Sequence, residues 1–279
     1  MRLRAALLAA LLVLTGCAAE HRGAPELAVG STSEPESVLI ADLYVAALRS
    51  YGFGARREAA PDPMAKLDAG EFTVVPAFTG DVLRRLQPNA AALSDAQVYK
   101  AMIAALPEGV LAGDYTTAAE DKPALVVAAA TAKAWGGGEL SELPSRCEGL
   151  LLGKVSGARV PASVGSCPLE APREFPTGAA MFDALRGGQL TAAWTTTAAP
   201  DTPADLVVLA DGKPALIQAE NVVPLYRRNA LGDRQLLALN EVAGVLDTGA
   251  LADMRRQVAG GADPQAVTGA FLADHPLGR

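Results

Sequence analysis

Histidine is almost missing from this chain: His21 and His275 are the only two in 279 residues. Neither stands near a Ser or Cys nucleophile motif, and no Gly-x-Ser-x-Gly elbow occurs, so hydrolase-type catalysis has no residues to carry it. No His/Cys/Asp group has the spacing of metal ligands, so neither a metal nor another cofactor is expected, and the chain does not read as an enzyme. Gly136-Gly137-Gly138 is not followed by Lys-Ser/Thr and lacks the strand-to-helix setting of a phosphate loop; it reads as a turn. Basic side chains are outnumbered, 24 against 31 acidic, and form no cluster, which argues against a nucleic-acid partner. No apolar run reaches the roughly 20 residues of a membrane-spanning helix.

The N-terminus holds the strongest signal. Arg2 and Arg4 precede an apolar run from Ala5 to Leu14, the length of a signal-peptide core. It ends in Leu14-Thr15-Gly16-Cys17, which matches the bacterial lipobox: a branched apolar residue, two small residues, then the cysteine whose thiol takes the lipid. The expectation is a signal peptide over 1–16, a lipidated Cys17, and a small, polar tether over 17–25 that holds an extracytoplasmic domain to a membrane.

Two further cysteines, Cys147 and Cys167, form an even pair in an exported chain and are expected to be disulfide-bonded. A closed loop of about 20 residues would add roughly 3 kcal/mol in the chain-entropy model. The pattern along the chain is α/β. A strand at 27–30 leads into a helix from Pro35 to Tyr51, with Leu39, Ile40, Leu43 and Ala47 on one face and Asp42 and Arg49 opposite. Strand, short helix and strand follow at 54–59, 63–69 and 72–76. That β-α-β-α-β order predicts a parallel sheet. Helices are expected at 79–86 and 94–105. A second block has strands at 124–130, 149–153, 190–194 and 205–209, a helix from Phe175 to Arg186, and a helical last fifty residues. The helix–Gly turn–strand–aromatic–Thr order of 67–80 returns at 185–196, which suggests two similar lobes.

Several stretches carry a family resemblance. Val29 to Tyr44 (VGSTSEPESVLIADLY) resembles the "VGSKxFTEQxILxELY" opening of substrate-binding proteins from osmoprotectant ABC transporters, the binders of glycine betaine, choline and carnitine. Gly70 to Gly80 (GEFTVVPAFTG) is similar to their "GEIDLYPEYTGT", and Asp205 to Asp211 to "DLVVLEDD". Asn221 to Pro224 resembles the "NAAPVV" that follows "PPY", and the stretch from Asp253 through Asp263-Pro264 to Leu272 resembles the closing helices. The matches are collinear over 27–273.

That resemblance implies a two-lobed, type II-like periplasmic-binding-protein fold. Lobe one would be 25–116 plus 217–279 and lobe two 117–216, with the ligand in a cleft between them. Closure around a small solute would present it to a membrane permease with its ATPase. The family's pocket is an aromatic cage for a quaternary ammonium. Here Phe78 stands at the tyrosine of "EYTGT", and Trp194 at the aromatic of "AYTTD", with Thr195 or Thr196 as the alternative. Asp121 keeps the aspartate of "DYALAV" while Pro123 replaces a ring. Glu220 replaces another ring, and Thr32 stands where the family has a lysine suited to a ligand carboxylate. The implied ligand set is Thr32, Phe78, Asp121, Trp194, Thr195 and Glu220, with Phe78, Trp194 and Glu220 on one cleft and Glu220 setting the ligand's charge. Loss of the lysine and gain of Glu220 favour a choline-like cation, or a polyhydroxylated neutral solute, over a zwitterion. A two-lobed lipoprotein acting as a sensor or scaffold is the other reading.

Overall fold

The computed structural model describes residues 26–278, so the signal peptide, Cys17 and the tether lie outside the described residues. Along the chain come Leu27–Ser31 (β1), Pro35–Ser50 (α1), Ala55–Ala59 (β2), Pro63–Asp68 (α2), Val74–Phe78 (β3), Thr79–Leu86 (α3), Asp95–Ala105 (α4) and Val110–Ala112 (β4). Next are Pro123–Ala128 (β5), Ala129–Ala134 (α5), a 3-10 helix at Leu140–Arg146, Leu152–Val155 (β6), Ser163–Val164 (β7), Cys167–Pro168 (β8) and Arg173–Phe175 (β9). Gly178–Arg186 (α6), Ala192–Thr196 (β10), Leu206–Val208 (β11) and Val222–Arg227 (β12) follow. Asp233–Val245 (α7), Thr248–Ala259 (α8) and Pro264–Asp274 (α9) close the chain.

Two five-stranded sheets organise the molecule, in the orders β2-β1-β3-β12-β4 and β11-β5-β10-β6-β9. The expected parallel sheet is only half of the first one. β2, β1 and β3 run parallel, but β12 pairs antiparallel with both β3 and β4. The second sheet is also mixed: β5 is antiparallel to β10 and β11, while β6 is parallel to β10 and β9. β12 comes from 222–227, after the whole second sheet, so the chain leaves the first sheet once and returns to it once. Proline hides β12 from a sequence reading, because a central strand seldom contains one. Pro224 sits opposite Pro76 in the register, so the two missing N–H donors fall at a single rung, and the Pro224 carbonyl still accepts from the Gly113 N–H at 2.8 Å.

α1 is buried nearly all round rather than on one stripe. It packs on the first sheet and beneath α7, α8 and α9, so a helix that seemed half solvated becomes the core of its lobe. Asp42, expected on the solvent side, is 2% exposed and reaches Arg57 Nε at 3.1 Å. α6 starts later than expected: Arg173–Phe175 joins the second sheet and the Thr177 side chain caps the helix on the Ala180 N–H. Pro176 therefore lies before the cap. The internal echo is real in the backbone, because α2 and α6 both end before a left-handed glycine, Gly70 (φ 78°) and Gly188 (φ 70°), that turns the chain into β3 and β10. Cys147 and Cys167 are joined by a disulfide, with Cα atoms 5.5 Å apart, which staples the 3-10 helix to β8.

The two crossings run side by side. Glu120 and Asn221 form an antiparallel bridge, and the Asp121 N–H donates to the Glu220 carbonyl at 2.9 Å. Asn221 is buried, its side-chain amide donating to the carbonyls of Thr116 and Ala119. Lys122 is buried as well and reaches Asp211, in the segment that follows β11, at 3.1 Å. Among the described residues no helix is long and apolar enough to cross a membrane.

Candidate functional site

The C-terminal ends of β1 and β3 open into a cavity of about 430 Å³, the place where open α/β sheets bind ligands. Phe78 ends β3 and lines it; Thr32 follows β1 and lines it too. The first turn of α1 adds Glu36 and Ser37. The turn is held locally: Ser37 Oγ accepts from the Thr32 N–H at 2.9 Å, and Thr32 Oγ1 accepts from the Glu34 N–H at 3.2 Å. A carboxylate in the first turn of a helix is favoured by the helix dipole.

Burial works against that preference at Glu36. Desolvation, then the neighbouring Asp121 carboxylate, push its pKa up to about 8, while Arg255 opposes the shift. Arg255 on α8 lies 3.0 Å from Glu36 and donates to Asp121 Oδ2 at 2.7 Å. Asp121 Oδ1 accepts from the Ala198 N–H at 2.8 Å, and Arg255 also donates to the Ala198 carbonyl at 2.9 Å. Asp121 is therefore a joint between the outward crossing, the exit of β10 and α8. It sits behind the cavity, not in its wall.

Glu220 has the same relation to α3. Its Oε2 accepts from the Asp81 N–H at 2.8 Å, so it caps the start of α3 from a remote part of the chain, and its other oxygen meets the Arg84 guanidinium. Gly80 makes room: a Cβ there would lie 2.5 Å from the Ala219 carbonyl and 2.8 Å from the Glu220 carboxylate. Burial raises the Glu220 pKa to about 7, opposed by Arg84 and the Asp81 N–H. The expected role of Glu220 as a wall of the cleft is not what the geometry holds. Its side chain is 5% exposed and its charge is met by Arg84.

Trp194 also departs from expectation. Strand alternation on β10 sends it, with Ala192, to the face covered by the 3-10 helix and α5, where it packs with Leu125, Leu143 and Leu152 at 3% exposure. It is a core ring of the second sheet and lines neither this cavity nor the one between the sheets. Thr195 is half-buried, its hydroxyl 3.1 Å from that of Thr202. Of the six expected ligand residues, Thr32 and Phe78 share the cavity. Asp121 and Glu220 lie behind it, and Trp194 and Thr195 lie elsewhere. Glu36 was missed, although it stands inside the opening stretch that carries the resemblance; a carboxylate in a first helical turn gives no sign that it faces a cavity.

A larger cavity, about 1120 Å³, lies between α3 and the segment 154–165 of the second sheet's side. Asp81 and Arg85 line both cavities, so the two are neighbours.

Comparison with known proteins places this geometry. Residues 173–274 match a family model described as the substrate-binding domain of the ABC-type glycine betaine transport system. Among solved structures, apo YehZ from Escherichia coli superposes with a TM-score of 0.70 at 17% identity, over 91% of this chain and 99% of that one. A glycine betaine/carnitine/choline ABC transporter protein gives 0.72 at 18% identity, covering 90% and 98%. An ABC-transporter choline-binding protein in complex with choline gives 0.53 at 13% identity, covering 90% and 89%. No curated protein sequence matches the chain. The chain thus has the two-lobed fold of ABC-importer binding proteins, and its residues 173–274 match the substrate-binding domain of glycine betaine transport systems.

Proposed function

We propose that this protein is the extracytoplasmic, lipid-anchored solute-binding subunit of an ABC importer of the betaine, choline and carnitine class. Lobe one takes 25–116 plus 217–279, lobe two takes 117–216, and the paired crossings at Glu120 and Asn221 form the hinge. The observation that carries the reading is the juxtaposition of Phe78 and Glu36 in one cavity at the strand ends of lobe one. A ring face and a carboxylate are the two groups that attract a quaternary ammonium, which cannot donate hydrogen bonds. The match of 173–274 to the glycine betaine family points to the same ligand class. The cage is degenerate, because Trp194 is spent on the core of lobe two. Glu36, 3.0 Å from Arg255, stands in the cavity wall where the sequence reading put Glu220, and it offers a cation a full negative charge only above its raised pKa of about 8; the Glu220 carboxylate is taken by Arg84 and α3.

Closing the lobes would bury the solute and present the closed form to the permease, provided the ligand binds the closed state better. The test is calorimetry and thermal shift of the full chain with choline, glycine betaine and carnitine. Binding by at least one supports the reading, and a ligand at a hundredfold excess over Kd should add about 2.7 kcal/mol of stability. Silence from all three would leave the sensor or scaffold reading in its place. The anchor is tested separately: Cys17→Ser should release the protein from membranes or leave it unprocessed, and a mature N-terminus at any other residue would refute lipidation there.

A further inference from the structure

Arg255 Nη1 carries two hydrogens and faces three oxygens. It donates to Asp121 Oδ2 at 2.7 Å and to the Ala198 carbonyl at 2.9 Å. Glu36 Oε1 lies 3.0 Å from the same nitrogen but receives neither hydrogen: it is buried and has no hydrogen-bond partner among the described residues. An ionised oxygen left in that state is costly, and a proton on the Glu36 carboxyl removes the cost. Asp121 is the acceptor for that proton. An ionised carboxylate has about four lone-pair sites, and the Arg255 and Ala198 N–H groups occupy two of those on Asp121.

The charges round Glu36 favour the same arrangement. Asp121 from the outward crossing and Glu220 from the return crossing act on it with like charge, and Arg255 from α8 is the opposing cation. Glu34, Asp68 and Asp81 line the same cavity against Arg85, whose guanidinium meets Asp62. Burial, then the Asp121 charge, hold the Glu36 carboxyl protonated through neutral pH, with a pKa of about 8. Glu36 is nevertheless open to the cavity: its side chain is 25% exposed and stands in the wall with Phe78. A cation that enters meets a carboxyl group that must ionise to attract it at full strength.

We propose that cation capture by this protein is an exchange, in which the bound cation displaces a proton held on Glu36 in the empty site, and that Asp121, behind the cavity, is the positioning residue that keeps the proton there. The Glu36 O–H bond breaks, the proton passes to solvent, and the carboxylate left behind faces the cation, so the charge of the cavity is conserved. This rests on the solute-binding reading above.

The test is calorimetry of the full chain with choline, glycine betaine and carnitine at pH 7, in buffers of different ionisation enthalpy, for the native protein, Glu36→Gln and Asp121→Asn. In the native protein the heat should follow the buffer, with about one proton released per ligand bound, and Kd should fall close to tenfold from pH 6 to pH 7. Glu36→Gln should bind more weakly and release no proton. Asp121→Asn keeps a carbonyl oxygen for the Ala198 N–H, removes the like charge and frees an Arg255 hydrogen for Glu36. It should release less than half of the native amount and flatten the pH profile. A structural role alone would weaken binding by one factor at every pH with the proton count unchanged, and that result would overturn the role of Asp121. Binding by native protein without proton release, or release that persists in Glu36→Gln, would overturn the exchange and leave the solute-binding reading intact, whether or not Asp121→Asn folds. Silence from all three ligands would overturn both readings.

Discussion

Arg255 donates to Asp121 Oδ2 at 2.7 Å, which ties a C-terminal helix of the first lobe to the segment where the chain leaves for the second. Asp121 is 6% exposed on its side chain and Arg255 19%, so both charges are largely removed from water and depend on each other.

Arg255→Gln should therefore destabilise the protein by about 3 kcal/mol, because it strands Asp121 and removes a donor from the Ala198 carbonyl. Urea unfolding at neutral pH checks this. A loss below about 0.5 kcal/mol would place the pair with ordinary surface bridges.

Stability should fall as pH rises from about 5 to about 8. Burial raises Glu36 to about 8 and Glu220 to about 7, above the usual carboxylate value of 4.5. Between those limits the native state holds protons that the unfolded chain has released, so raising the pH favours unfolding. The contribution is whole below 4.5, declines as pH rises through each raised pKa, and is exhausted above about 8. Thermal midpoints from pH 5 to 9 measure it, and Glu36→Gln should flatten the upper part of the curve. A midpoint that climbs over this range in Glu36→Gln and native protein alike would contradict the assignment.

Affinity for a cationic solute should move the other way. A proton on Glu36 competes with the cation, so choline or carnitine should bind more tightly at pH 9 than at pH 6, and Glu36→Gln should abolish the difference. Titrations at the two pH values suffice, and a pH-independent Kd in native protein would remove Glu36 from the site.

Phe78→Leu keeps an apolar, though smaller, side chain at the end of β3 but loses the ring quadrupole. It should weaken a quaternary ammonium by about 1–2 kcal/mol, with a smaller effect on folding. Equal affinity of the variant and native protein for choline would show that the ring does not face the cation.

Trp194→Ala should act on stability. The indole is packed in the core of the second sheet, and its removal should cost about 3–5 kcal/mol. Denaturant unfolding followed by circular dichroism measures this. A variant of native stability with lost ligand affinity would return Trp194 to the binding site.

Much of the fold was legible in the sequence. The helices at 35–50, 79–86 and 95–105 and the strands at 27–31 and 55–59 lie within a residue or two of where periodicity and glycine placed them, because each is decided by neighbours along the chain. The cysteine pair followed from compartment and parity. β12 was not legible, since Pro224 argues against a central strand until Pro76 is seen opposite it. The burial of Asp42 was hidden because the helices that cover α1 come from the far end of the chain.

The site divides in the same way. Sequence order alone set the residue types at the strand ends, Thr32 after β1 and Phe78 at the end of β3, because a strand's end is a local event. Which of them meet was decided only in three dimensions. Trp194 and Phe78 follow the same helix–glycine–strand echo, yet one ring ends in a core and the other in a cavity, since strand alternation and the packing layer above each sheet choose the face. Glu220 and Glu36 are both acidic residues beside the cleft. Tertiary structure gave the first to Arg84 and the start of α3 and set the second between Arg255 and the cavity, because a charge is settled by its partners in space and not by its place in the chain.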